Sequence, residues 1–149
     1  MRRFILDTNL CLAYVRGHAS YQAVEEELNL QAEGTITLIS VVTKGELLSL
    51  GIQNGWPTTK MKKLQSLLKK IYTIDINEKD QSLMQAYAEI DAYSQGNLHG
   101  KPLGLSARNM GKNDLWIAAA TYISKAELVT TDGDFDHLNG SWITVHKFK

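Results

Sequence analysis

Short runs of apolar and β-branched residues alternate along the chain with longer stretches in which apolar positions recur every three or four residues. The first pattern predicts strands and the second amphipathic helices. Arg3-Phe4-Ile5-Leu6-Asp7 has the composition of a buried strand, and Asn9 to Arg16, closed by Gly17, that of a short helix. From Ser20 the apolar Ala23, Val24, Leu28 and Leu30 lie amid Glu25, Glu26 and Glu27, predicting a helix that Gly34 stops. Thr35 to Val42 is rich in β-branched residues and predicts the second strand. Thr43 then opens a helix carrying Glu46, Leu47, Leu48, Leu50 and Ile52, which ends at Asn54-Gly55. A further helix begins at Thr58 or Thr59, carries Leu64, Leu67 and Leu68, and hands over to a strand from Ile71 to Ile76. Asp80 to Tyr93 again has a helical period. Gly96, Gly100, Pro102, Gly104 and Gly111 interrupt any period between Gln95 and Lys112, which predicts a loop. Asp114 to Ser124 is apolar on every side, as a helix buried within the domain would be, and Glu127–Thr131 and Trp142–Phe148 complete the strands.

Strands separated by helices imply an α/β fold of three layers, α/β/α, around a central, mostly parallel sheet. In such folds the functional crevice lies beyond the carboxyl ends of the strands, where Asp7 and Asp132 fall. A length of 149 residues, with no repeat and no linker, implies one domain over residues 1–149. The 44% hydrophobic and 21% charged composition is that of a globular protein. No apolar run approaches a membrane span and Met1-Arg2-Arg3 leads straight into a strand, so the expected home is the cytoplasm, with no membrane partner. The single cysteine, Cys11, excludes an internal disulfide and is expected to be a small buried hydrophobe. With sixteen basic against sixteen acidic residues the whole chain is not a generic polyanion binder, but an acidic cleft with a basic rim is compatible with that balance.

Four carboxylates stand near strand ends or helix starts: Asp7, Glu46, Asp114 and Asp132. Each also has a structural role open to it. Asp7 can cap the first helix; Glu46 follows Thr43 with capping-box spacing; Asp114 suits the positive end of a helix dipole; Asp132-Gly133 suits a turn. Convergence of all four on one crevice would raise their pKa values unless a cation neutralised them. Oxygen donors without cysteine or paired histidine favour magnesium or manganese over zinc. His18, His99, His137 and His146 show no ligand spacing and are expected on the surface or in loops.

In these same residues the chain resembles the PIN-domain ribonucleases, in particular the VapC-type toxins of bacterial toxin–antitoxin modules. Phe4-Ile5-Leu6-Asp7-Thr8-Asn9 resembles the opening strand of that family. Ser40-Val41-Val42-Thr43-Lys44-Gly45-Glu46-Leu47 is similar to its second motif, Asn113-Asp114-Leu115-Trp116-Ile117-Ala118-Ala119 to its third, and Leu128-Val129-Thr130-Thr131-Asp132-Gly133-Asp134-Phe135 to its fourth. All four stand in the family's order. The resemblance implies a metal-dependent endoribonuclease, a hydrolase leaving a 5′-phosphate and a 3′-hydroxyl, with Asp7, Glu46, Asp114 and Asp132 as catalytic and metal-binding acids and Asp134 as a fifth. Asp7 and Asp114 are expected as the most direct ligands of Mg2+ or Mn2+, with Asn9 and Thr130 orienting the site. It also implies a small antitoxin partner and a homodimer.

RNA must be held against an acidic cleft by basic groups. Lys101, Arg108 and Lys112, in the glycine-rich loop before Asp114, are the candidates favoured here as phosphate contacts. Lys60, Lys62, Lys63, Lys69 and Lys70 form a second cluster, for which a solvated helix face is the favoured reading over phosphate contact. Tyr93 and Trp116 could stack bases, though core packing suits Trp116 better. Other readings are a housekeeping nuclease, a domain of the same fold that binds without cutting, and a haloacid-dehalogenase-like phosphatase. Asn9 counts against the last, which needs a second aspartate there.

Overall fold

The structure, a computed structural model, describes residues 1–149. Five strands form one fully parallel sheet: β1 (Arg2–Leu6), β2 (Thr35–Ser40), β3 (Tyr72–Ile74), β4 (Glu127–Thr130) and β5 (Thr144–Lys147), in the order β3-β2-β1-β4-β5. The chain builds outwards from β1 to β3, then returns to add β4 and β5 on the other side of β1. The switch in direction therefore falls between β1 and β4, and a crevice is expected beyond their carboxyl ends.

Alternate residues of the central strands face opposite layers, as the two-residue strand period requires. Ile5, Leu38 and Leu128 pack with α5 (Gln81–Ser94) and α6 (Lys112–Ser124). Phe4, Leu6, Ile39 and Val129 pack with α1 (Thr8–Arg16), α2 (Ala19–Leu28), α3 (Val41–Gln53) and α4 (Thr58–Lys70). Cys11 is fully buried in this second layer. No helix is long and apolar enough to cross a membrane.

Several element ends differ from the sequence reading. Helix α2 stops at Leu28, because Asn29 takes the left-handed conformation at φ 50°, so Gly34 does not end it. The β-branched Val41-Val42 do not extend β2. Ser40 turns the chain, its hydroxyl accepting the N–H of Val42 at 3.2 Å, and α3 starts at Val41 instead of Thr43. Strand β3 keeps only three residues of Ile71–Ile76, β5 starts at Thr144, and Lys112 belongs to α6 instead of the loop. A short 3-10 helix, Gly133–Leu138, stands after β4 where only a turn was expected.

Candidate metal centre

Asp7 is the residue that follows β1. Its backbone N–H donates to the carbonyl of Val129 at 3.0 Å, extending the β1–β4 ladder by one bond beyond the strands. The side chain is buried, with 4% of its surface exposed. It stands at the cap position of α1 but makes no side-chain capping bond. Its partner is the fully buried Thr130, whose Oγ1 donates to Oδ2 of Asp7 at 2.6 Å. Burial pushes the Asp7 carboxyl above the usual carboxylate range, and the Thr130 bond opposes that shift.

Glu46 is not part of a capping box. Ser40 caps α3, and Oε1 of Glu46 accepts the hydroxyl of Thr8 at 2.9 Å. Thr8 also lies 3.3 Å from the Thr43 hydroxyl, so two buried threonines brace α1 against α3 beside the glutamate. Thr8 is quoted within the first motif of the sequence reading but is given no role there. Its only signal there was adjacency to Asp7.

Asp114 occupies the first turn of α6, as expected, and Asp132 caps the 3-10 helix, its Oδ1 accepting the N–H of Asp134 at 3.0 Å. The N–H of Asp132 in turn donates to Oγ1 of Thr130 at 2.9 Å. These turns bring carboxylate oxygens of Asp114, Asp132 and Asp134 within 4.8 Å of one another. Asp7 and Glu46 lie outside that tight group yet close enough to act on it. The Asp114 carboxyl is pushed up to about 6, first by burial and then by the charges of Asp7, Asp132, Asp134 and Glu46. All five predicted acids thus share one electrostatic site, at the switch point of the sheet.

The donor set fits a hard divalent cation. Every side chain available is a carboxylate, and like charges gathered this closely hold their protons more tightly unless a cation stabilises the ionised form. Cys11 is sealed in the apolar core and His137 is turned to Ser94, so neither competes as a soft ligand.

The remaining predicted residues divide. Asn9 is exposed at the start of α1. Arg108 reaches the acidic turn, donating to the carbonyl of Gly133 at 3.3 Å, and Lys112 is exposed two residues before Asp114, in the same first turn of α6. Lys101 is turned elsewhere: Nζ donates to the Ser141 carbonyl at 2.8 Å and sits 3.9 Å from the centroid of the Trp142 ring. Tyr93 is buried at the end of α5 and is not free to stack on a base. Trp116 packs on Tyr87 with ring centroids 4.2 Å apart. Lys60 and Lys63 lie over the rings of Trp56 and Tyr14. Two histidines are not the surface or loop groups expected. His137 is buried on the 3-10 helix, bonded to Ser94 at 2.7 Å, and His146 is half-buried on β5, 2.9 Å from Glu127.

A parallel α/β sheet with an acidic cluster at its switch point defines the class of protein. Within that class the chain belongs to the PIN domain family, whose sequence pattern matches residues 4–141. No curated protein is matched by the sequence. Among solved structures the chain is similar to VapBC2 of Rickettsia felis bound to a DNA fragment from the promoter, at 23% identity and TM-score 0.76 over 99% of each chain. It is also similar to VapBC-1 of nontypeable Haemophilus influenzae, at 19% identity and TM-score 0.71 over 97% of each chain. A third likeness is VapBC-5 of Mycobacterium tuberculosis, a member of a family of toxin–antitoxin systems, at 21% identity and TM-score 0.62 over 100% of this chain and 99% of that one.

Proposed function

We propose that the protein is a divalent-metal-dependent endoribonuclease and the toxin of a toxin–antitoxin pair. The carrying observation is the convergence of Asp114, Asp132 and Asp134, with oxygens within 4.8 Å, beside the buried Asp7 and the braced Glu46. The likeness in fold to three VapBC structures supports the toxin assignment, and with it a small antitoxin partner. A homodimer is part of the same reading.

Asp114, Asp132 and Asp134 would hold Mg2+ or Mn2+, with Asp7 and Glu46 completing the negative site directly or through water. The cation supplies charge neutralisation at the phosphate and lowers the pKa of water. The chain's own part is positioning. Thr130 fixes the rotamer of Asp7 and the start of the Asp132 turn with one hydroxyl. Thr8 fixes Glu46 across the crevice. Arg108 and Lys112 stand at the rim on the α6 side as phosphate contacts.

The test is cleavage of total RNA by the purified protein with Mg2+ and with EDTA, followed by sequencing of the ends. Magnesium-dependent 5′-phosphate ends that vanish in Asp7→Asn and Asp114→Asn are expected. Cleavage surviving both substitutions would remove the site, and RNA bound but never cut would favour a binding domain. Growth arrest on expression, relieved by co-expression of the adjacent small gene, tests the toxin role separately.

A further inference from the structure

We propose that a groove along α1, lined by Asn9, Arg16, His18 and Lys149, binds the phosphates of single-stranded RNA flanking the cut. This rests on the ribonuclease reading and adds to it the path of the strand on the side of the sheet opposite Arg108 and Lys112.

The groove has a volume of about 260 Å³, and its lining includes two chain neighbours of the acids: Asn9, two residues beyond Asp7, and Thr131, next to Asp132. Asn9, Leu12, Ala13 and Arg16 form one stripe of α1, and Asn9 and Arg16 lie about 10 Å apart along its axis. No aspartate or glutamate side chain lines it. The ion pairs of the fold join Arg2 and His146 to Glu127 and Lys147 to Asp136, so Arg16 and Lys149 are both free to meet an anion. His18 adds a donor of fixed direction. The N–H of Ser20 donates to its Nδ1 at 3.1 Å, so the neutral ring carries its proton on Nε2.

A strand held only by Arg108 and Lys112 would be anchored on one side of a cluster that repels it. Arg16, His18 and Lys149 place cations on the other side. A strand crossing the acids from α6 to α1 is then gripped at both ends, with the scissile phosphate over the carboxylates. Contacts of this kind fix position without reading sequence.

The probe is a fluorescein-labelled single-stranded RNA of mixed sequence. Its binding to the full chain is followed by anisotropy in EDTA over a salt series, and its cleavage is followed with Mg2+. The variants are R16A/K149A and, as a matched loss of charge at the far end of the sheet, K69A/K70A. If each groove cation neutralises one phosphate, R16A/K149A should reduce the slope of log affinity against log salt by about 1.4. It should also raise KM roughly tenfold at low salt, as losing two phosphate contacts implies, with kcat at saturating RNA unchanged. K69A/K70A should change neither. A wild type that cleaves RNA while R16A/K149A keeps its KM and salt slope would overturn the groove and leave the ribonuclease reading standing. The same follows if K69A/K70A lowers the slope equally. A slope lowered by R16A/K149A in a protein that binds but never cuts would support the groove and remove the nuclease. A wild type that neither binds nor cuts removes both.

Discussion

Thr130 and Asp7 are joined by a 2.6 Å hydrogen bond from a fully buried hydroxyl to a carboxylate with 4% of its surface exposed. The same hydroxyl accepts the N–H of Asp132 at 2.9 Å, so one side chain at the end of β4 fixes two of the acids. Thr130→Val keeps the shape and removes both bonds. It should destabilise the fold by about 1–3 kcal/mol, the usual cost of leaving a buried polar group unpartnered. It should also raise the Asp7 carboxyl further, because the bond that now opposes burial is gone. Urea unfolding and a calorimetric Mn2+ titration should show lost stability and weaker binding, with Thr130→Ser restoring most of both. Unchanged stability and binding in Thr130→Val would show that the hydroxyl positions nothing.

Asp114 sets a pH dependence whose sign is opposite to that of most carboxylates. Its carboxyl is raised from 3.8 to about 6 in the folded chain, so between those values the folded state holds a proton that the unfolded state has released. Without metal, the stability this group contributes is present in full below pH 3.8 and is lost as pH rises through about 6. Asp114→Asn should abolish that loss and raise the melting temperature of the metal-free protein at pH 7. With the carboxyl half in solvent, the gain should be about 1 kcal/mol, or roughly 2–4 °C. Divalent cations require the ionised form, so Mg2+ should raise the melting temperature strongly at pH 7.5 and little at pH 5. A Mg2+-induced shift that is the same at both pH values would count against Asp114 as a ligand.

Thr8 braces Glu46 from across the crevice at 2.9 Å. Thr8→Val removes the bonds of this hydroxyl to both Glu46 and the buried Thr43 and should cost about 1–3 kcal/mol while the fold is kept. Glu46 would be released to swing into solvent. Single-turnover cleavage should therefore slow while the KM for RNA holds, as expected when a positioned group in the reacting site is loosened. A rise in KM with unchanged turnover would instead place Thr8 in substrate binding.

What could be read from the chain follows from where its physics is local. Phe4-Ile5-Leu6 and Leu38-Ile39 are unbroken apolar runs, as strands covered on both faces require, and with a helix between successive strands they imply a parallel sheet. The acids announced themselves by standing where strands end. Their mutual arrangement did not, because Asp134 comes within 4.8 Å of Asp114 only through the cap that Asp132 forms on the 3-10 helix. Glu46 misled for the opposite reason. Thr43-x-x-Glu46 has capping-box spacing, but the helix starts at Val41 with Ser40 as its cap, leaving the glutamate for Thr8. Lys101 lies close in sequence to Asp114, yet the Trp142 ring and the Ser141 carbonyl hold its charge, and no local rule foretells a partner forty residues away.

The turn carrying Asp132 and Asp134 is anchored from below by His137. Its ring sits 2.7 Å from Oγ of Ser94, the last residue of α5, and its Nδ1 has no hydrogen-bond partner. Burial holds this imidazole below the ordinary histidine range, with Arg108 adding to the shift. As pH falls below 6.5 the unfolded chain takes up a proton that the folded chain resists, so this group costs stability in acid. That runs against the Asp114 contribution, and the two are separable by comparing Ser94→Ala with Asp114→Asn. Ser94→Ala leaves the buried ring without its remaining partner and should cost about 1–3 kcal/mol at neutral pH. It should also loosen the 3-10 helix, so that hydrogen exchange quickens at Asp134 to Leu138 while β1 and β4 stay protected. Exchange unchanged in that helix would mean that the Phe135 and Leu138 side chains, both fully buried, hold the acidic turn without help from the histidine.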